Sequence, residues 1–154
     1  MKQRWVSIAV LAAALFAINV VARLVTRIGF PDNDTAENWV SVAMFSLIGL
    51  VLAVVAFVRA QRVPAGTWLP DLAAAAVGGM LLTVLAGPFV SGDYPFSGGA
   101  GNFFSQIWLY GGFAIAGTLL GYWTATMLGR DYRSKSLKAF ATAKTAKPRR
   151  VVRR

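Results

Sequence analysis

The sequence contains no cysteine and no histidine among its 154 residues. Without these side chains it offers no thiolate or imidazole to ligate haem, an iron–sulfur cluster or the usual zinc site. The same absence excludes cysteine and histidine nucleophiles, and it excludes structural disulfides. We therefore predict a non-enzymatic protein with no catalytic residues, no metal site and no cofactor.

Acidic residues are also scarce, six against sixteen Lys and Arg. None of them falls near the centre of an apolar stretch, and Asp71 and Asp131 lie close to the ends of such stretches. Proton-coupled pumps and many ion-coupled carriers need a titratable or ion-binding group deep in the membrane. A dedicated transporter of that kind is therefore disfavoured.

Apolar residues make up 56% of the chain and gather in long uncharged runs. A helix crosses about 30 Å of hydrocarbon with roughly 20 residues, and four stretches reach that length. We predict an all-α membrane protein, a four-transmembrane-helix bundle formed by residues 1–129. Its helices are predicted at about 5–28, 35–58, 69–88 and 103–129.

The first of these helices has an alternative interpretation. The basic start "MKQR" and the small residues of Val20–Ala22 resemble a secretory signal with its cleavage site. Arg23 and Arg27 follow directly, and positive charge just after the site opposes export. We therefore expect a retained helix.

The basic residues are distributed unevenly between the predicted loops. With the N-terminus inside, only Arg23 and Arg27 of the sixteen Lys and Arg fall on the outer side. Since basic loops remain in the cytoplasm, we predict that both termini are cytoplasmic. A compact multi-pass chain rich in Ala, Val and Arg is typical of a bacterial plasma (inner) membrane.

The C-terminal residues 130–154 form a basic tail. Its first part, "RDYRSKSLKAF" at 130–140, is predicted to lie on the membrane surface as a short helix, and 141–154 is predicted to be disordered. Nucleic acid is the weaker alternative partner, because no folded nucleic-acid module precedes the tail. Anionic lipids of the inner leaflet attract basic residues beside a span, and the predicted contacts are Arg59, Arg62, Arg130, Arg133, Lys135 and Lys138.

Small residues recur at four-residue spacing in the third and fourth helices, which creates flat surfaces for close helix packing. We predict that these two helices pack as an antiparallel hairpin, with docking onto a partner protein as the alternative. The two stripes are Ala75, Gly79, Thr83 and Gly87, and Gly117, Gly121, Ala125 and Gly129. A weaker stripe in the second helix consists of Ser46, Gly49, Ala53 and Ala56.

Charged residues gather on the predicted outer side, where they form an outer polar cluster. Arg23 is notable because it lies within an apolar stretch. One interpretation is that Arg23 binds an anionic ligand or an acidic residue of a partner protein. The other is that its side chain reaches the lipid headgroups or forms an ion pair with an acidic residue of its own chain. The members of the cluster are Arg23, Arg27, Asp34, Glu37 and Asp93.

The predicted outer loop also carries aromatic residues that could anchor a partner protein or the membrane interface. They are Tyr94, Phe96, Phe103 and Phe104.

Three classes of function fit these features. The first is a non-catalytic accessory, assembly or stabilising subunit of a larger bacterial membrane complex, with another integral membrane protein as partner. The second is a homo-oligomeric pore or holin-like permeabiliser. The third is a small carrier or enzyme acting on a lipid-borne substrate, with Arg23, Arg27 and the outer acids as its site. We rank the accessory subunit first because the chain is small and lacks the usual catalytic side chains.

Overall fold

The computed structural model describes residues 2–30 and 34–145. Six α-helices and one π-helical turn account for nearly all of them. In chain order they are α1 Lys2–Gly29, α2 Asp34–Ala60, α3 Ala65–Leu81, the π-helical turn Leu82–Ala86, α4 Gly87–Ser91, α5 Gly99–Met127 and α6 Tyr132–Thr145.

Four helical segments are long and apolar enough to cross a membrane. Three of them are Arg4–Gly29, Thr35–Ala60 and Ala65–Ser91, and the fourth begins at Gly99. Side chains on the outside of the bundle are apolar, with Val10, Leu50 and Leu119 each about 60% exposed. A water-soluble bundle would place polar groups there. The prediction of an all-α, multi-pass membrane protein is confirmed.

The third predicted helix is longer than expected and is internally irregular. It begins at Ala65 instead of residue 69, so Pro70 lies inside it. Near its other end, Pro88 has no N–H to donate and its ring crowds the carbonyl one turn earlier. The π-helical turn Leu82–Ala86 lies directly before this position and shifts the register of α4. α4 packs against α1.

The two most extensive interfaces join helices that run in the same direction, α2 with α5 and α1 with α3. A Cβ atom added to Gly117 would collide with the backbone of Gly49, and one added to Gly121 would collide with Ala53. The stripe of α3 packs mainly on α1, where a Cβ atom on Gly79 would lie 3.1 Å from that of Leu15, and it approaches α5 at the Tyr110 hydroxyl oxygen, 2.7 Å from the same Cβ position.

The predicted antiparallel hairpin of the third and fourth helices is therefore wrong, because α3 and α5 make few contacts with each other. A small-residue stripe packs most closely on another stripe of matching spacing. The weaker stripe of α2 supplied that match for α5.

The start of α1, the α2–α3 connection and α6 lie together, at what we term the tail end. Arg4 forms an ion pair with Asp71 at 2.5 Å, which links α1 to α3. Lys135 Nζ donates a hydrogen bond to the Gln61 carbonyl at 3.2 Å, which links α6 to the end of α2.

Two predictions about the tail end need correction. Gly129 lies beyond α5 with a φ of 59°, and its N–H donates to the Thr126 carbonyl while Arg130 N–H donates to the Ala125 carbonyl. This is a Schellman motif, so Gly129 terminates the helix and does not belong to the packing stripe. Residues 141–145 are helical within α6, contrary to the predicted disorder, and 146–154 lie outside the described residues.

Candidate functional site

A polar cavity of about 470 Å³ opens at the end of the bundle opposite the tail end. It lies between α1, α2 and α5, beside Ser91 and Asp93, and we term this the cavity end. Its volume is in the range of small-molecule sites, about 300–1,000 Å³. Amides and hydroxyls dominate its lining, namely Asn19, Asn38, Asn102 and Gln106, and Thr26, Ser41, Ser91 and Ser105.

The floor of the cavity is formed by buried side chains of α1 and α2. Asn19 is 1% exposed, and Met44 and Phe45 beside it are also buried. Asn19 Nδ2 donates to Met44 Sδ at 3.1 Å, and Asn19 Oδ1 accepts a hydrogen bond from Arg23 Nε at 3.2 Å. The asparagine therefore fixes the orientation of the Arg23 side chain from below.

Gly87 of α4 makes room for this pair. A Cβ atom at Gly87 would lie 2.7 Å from Asn19 Oδ1 and 3.0 Å from Arg23 Nε. The glycine was predicted as part of a packing stripe, and here it allows the backbone of α4 to approach two polar side chains of α1.

The remaining partners of Arg23 are also neutral. Arg23 Nη1 donates to Ser91 Oγ at 3.1 Å, and Nη2 donates to Gln106 Oε1 at 3.5 Å. None of the carboxylates whose side chains are described forms an ion pair with Arg23. Arg23 lies six residues before the end of α1, roughly 9 Å along the axis. A partly buried guanidinium at this depth is costly unless an anion compensates its charge.

Two carboxylates line the same cavity. Glu37 is the fourth residue of α2 and Asp93 follows α4, and both residues are exposed. They therefore lie toward the open mouth, whereas Arg23 lies deeper, next to the buried Asn19. The cavity presents a cation inside and negative charge at its entrance.

The predicted outer polar cluster is thus only partly assembled. Arg23, Glu37 and Asp93 share the cavity. Arg27 is outside its lining and donates to the Val90 carbonyl at 3.0 Å. The side chain of Asp34 lies outside the described part of the structure.

Sequence reasoning missed the polar face that α5 contributes. Asn102, Ser105 and Gln106 lie three and four residues apart, so they share one face of an otherwise apolar helix. That spacing was visible in the sequence and could have identified them.

The predicted aromatic residues also lie at the cavity end. The rings of Phe96 and Phe103 stack with centroids 4.6 Å apart, while Tyr94 and Phe96 remain more than 60% exposed. They stand beside the cavity mouth and do not line it.

The basic residues predicted to contact lipid all lie at the tail end. Arg62, Arg130, Arg133, Lys135 and Lys138 are exposed, and Arg59 is partly exposed. Their contact with anionic lipid stays a prediction.

Comparison of the chain with protein-family models, curated proteins and solved structures finds no match. The fold and the cavity alone define the class of the protein: a small multi-pass helical membrane protein with a polar cavity at one end of its bundle.

Proposed function

We propose that the protein is a non-catalytic ligand-binding protein of a bacterial plasma membrane, and that the cavity around Arg23 is its binding site. The observation that carries the proposal is the partly buried Arg23 guanidinium, which has three neutral hydrogen-bond partners inside a 470 Å³ cavity. Arginine is suited to binding phosphate and carboxylate groups, because its planar fork donates two parallel hydrogen bonds.

Binding without catalysis is favoured by the side chains that line the cavity. Amides and hydroxyls orient a ligand by hydrogen bonds, but they are poor nucleophiles without an adjacent base. The two carboxylates are exposed at the mouth, where water solvates them. The chain has no histidine to act as a general base near neutral pH.

The distribution of charge supports an orientation with both termini in the cytoplasm. Exposed basic residues are concentrated at the tail end, and such residues favour the cytoplasmic side. The cavity would then open in the outer half of the membrane, within reach of outer-leaflet lipids and of solutes outside the cytoplasm.

The second candidate function is an accessory or assembly subunit of a larger membrane complex. The exposed aromatic side chains at the cavity end favour it, because aromatic residues commonly anchor protein interfaces. In this case an integral membrane partner would contact Tyr94 and Phe96. A heterologous membrane protein that co-purifies in stoichiometric amounts, and is lost on Tyr94→Ala with Phe96→Ala, would support this function.

The proposed ligand-binding function is tested by native mass spectrometry of the protein purified in mild detergent. We expect the wild-type protein to retain a small non-protein mass, and Arg23→Gln to lose it. The control is Arg27→Gln, which removes an arginine from the same helix outside the cavity lining and should retain the mass. Equal retention by both variants, or no retained mass in the wild type, would contradict the proposal.

A further inference from the structure

We infer that the ligand of this cavity is a zwitterion, with a phosphate or carboxylate bound at Arg23 and a primary ammonium group bound between Glu37 and Asp93. The inference rests on the proposed function and specifies the chemistry of the ligand. It follows from the charges of the described side chains and from their order along the cavity.

The first step concerns charge balance. One guanidinium and two carboxylates line the cavity, and the cation is not ion-paired with either acid. A purely anionic ligand would satisfy Arg23 but would have to pass two negative charges at the entrance. A purely cationic ligand would leave the guanidinium uncompensated within the bundle, which is unfavourable.

The second step concerns position. Arg23 is held toward the floor by Asn19, Ser91 and Gln106, which belong to three different segments of the chain. Glu37 and Asp93 are exposed at the mouth, so a bound molecule contacts the cation at its inner end and the acids at its outer end. The anionic group of the ligand must therefore point inward and its ammonium group outward.

The third step concerns the type of cation. A primary ammonium has three N–H donors, so it can bind two carboxylates and a neighbouring amide oxygen at once. Asn38 and Asn102 line the same cavity and offer such oxygens. A quaternary ammonium has no N–H donor, so it is attracted to the carboxylates by charge alone and donates no hydrogen bond to any of these groups.

A zwitterion of this kind has two sources. One is the headgroup of phosphatidylethanolamine, whose phosphate and ammonium are separated by two carbons. The other is a free solute such as phosphoethanolamine or an amino acid. The chemistry at Arg23 and at the two acids is the same for both.

The experiment measures binding of defined probes to the delipidated full-length protein in detergent, by native mass spectrometry. The lipid probes are phosphatidylethanolamine, phosphatidylcholine and phosphatidylglycerol at equal concentration, and the soluble probes are phosphoethanolamine and glycine. We expect phosphatidylethanolamine or phosphoethanolamine to bind about tenfold more tightly than the probes that lack a primary ammonium, since each charge-assisted hydrogen bond contributes about that factor. Binding of phosphatidylethanolamine identifies a lipid as the source, and binding of phosphoethanolamine or glycine identifies a free solute.

Variants separate the two halves of the site. Arg23→Gln should weaken binding of every probe about tenfold, and Arg23→Lys, which keeps the charge, should recover part of it. Glu37→Gln combined with Asp93→Asn should weaken the probes with a primary ammonium about tenfold and so abolish their advantage over phosphatidylglycerol. Arg27→Gln is the matched control and should bind like the wild type.

The outcomes distinguish this inference from the proposed function. If binding requires Arg23 but is unchanged by the double acid variant, the zwitterion is wrong and anion binding survives. If the wild type prefers phosphatidylglycerol, or binds none of the probes, the inference is also overturned. In each of these cases, a native ligand that binds the wild-type protein and is lost in Arg23→Gln would still support the proposed function.

Discussion

At the scale of single residues, identical amino acids have different roles according to what they face. Gly117 and Gly121 of α5 meet the backbone of α2, whereas nothing lies within 4 Å of a Cβ atom added to Gly112 of the same helix. Glycine generally lowers helix stability relative to alanine, so it is beneficial only where close approach is needed.

Gly117→Ala should therefore destabilise the bundle by about 1–3 kcal/mol, the usual cost of overpacking, because the added methyl group collides with the backbone of Gly49. Gly112→Ala is the matched control and should be neutral or slightly stabilising. Thermal unfolding in detergent, followed by tryptophan fluorescence, measures both. Equal midpoints for the two variants would contradict the close α2–α5 contact.

The residue scale also shows the limits of a sequence pattern. The spacing of Gly117, Gly121, Ala125 and Gly129 is regular, yet the last glycine terminates the helix. The four-residue spacing of small residues does not predict at which residue the helix ends. The hydrogen bonds of the Schellman motif decide that, and they depend on the backbone beyond the stripe.

At the scale of helices, the sequence indicated where apolar segments lie but did not indicate which of them pair. Composition and length predicted four spans, because crossing the hydrocarbon requires about 20 apolar residues whatever the partner. A small-residue stripe marks a face for close approach, and three helices carry one. The choice between α2 and α3 as partner of α5 depends on side chains that meet only in the folded bundle.

Disulfide trapping tests the pairing of α2 with α5. Native cysteines cannot interfere, since the chain has none. A Cβ atom on Gly49 would lie 3.7 Å from that of Phe113, a separation suited to a disulfide. We expect Gly49→Cys with Phe113→Cys to cross-link on mild oxidation. The control pair is Ala75→Cys with Gly117→Cys, which would lie at the same level and approach if the two stripes of the antiparallel hairpin faced each other. Cross-linking of the control pair alone would refute the parallel arrangement.

The sequence predicted part of the outer polar cluster but did not predict the cavity. Arg23, Glu37 and Asp93 were identified because charges near apolar stretches are conspicuous in a sequence. Ser91 and Gln106 were not, since single polar residues near helix ends are common on their own. They gain significance only when α4 and α5 bring them to within 3.5 Å of the Arg23 guanidinium.

At the scale of the whole molecule, charge separates the two ends of the bundle. The tail end carries most of the basic residues, and the cavity end carries Glu37 and Asp93 around the cavity mouth. This asymmetry underlies both the proposed orientation and the proposed access of the ligand.

Single cysteines test that orientation in intact cells. Ser97 lies between α4 and α5 at the cavity end, Ser136 lies in α6 at the tail end, and both are exposed. We expect a membrane-impermeant maleimide to label Ser97→Cys in intact cells, and to label Ser136→Cys only after permeabilisation. The reverse pattern would show that the termini face outward.

The central claim is that Arg23 binds an external anion and not one of the chain's own acids. It is tested most directly by an experimental density map of the protein purified from its native membrane in mild detergent. We predict density within hydrogen-bonding distance of the Arg23 guanidinium that belongs to a bound molecule, and its loss in Arg23→Gln. A collapsed cavity, in which Arg23 forms a direct ion pair with Glu37, Asp93 or Asp34, would contradict the account.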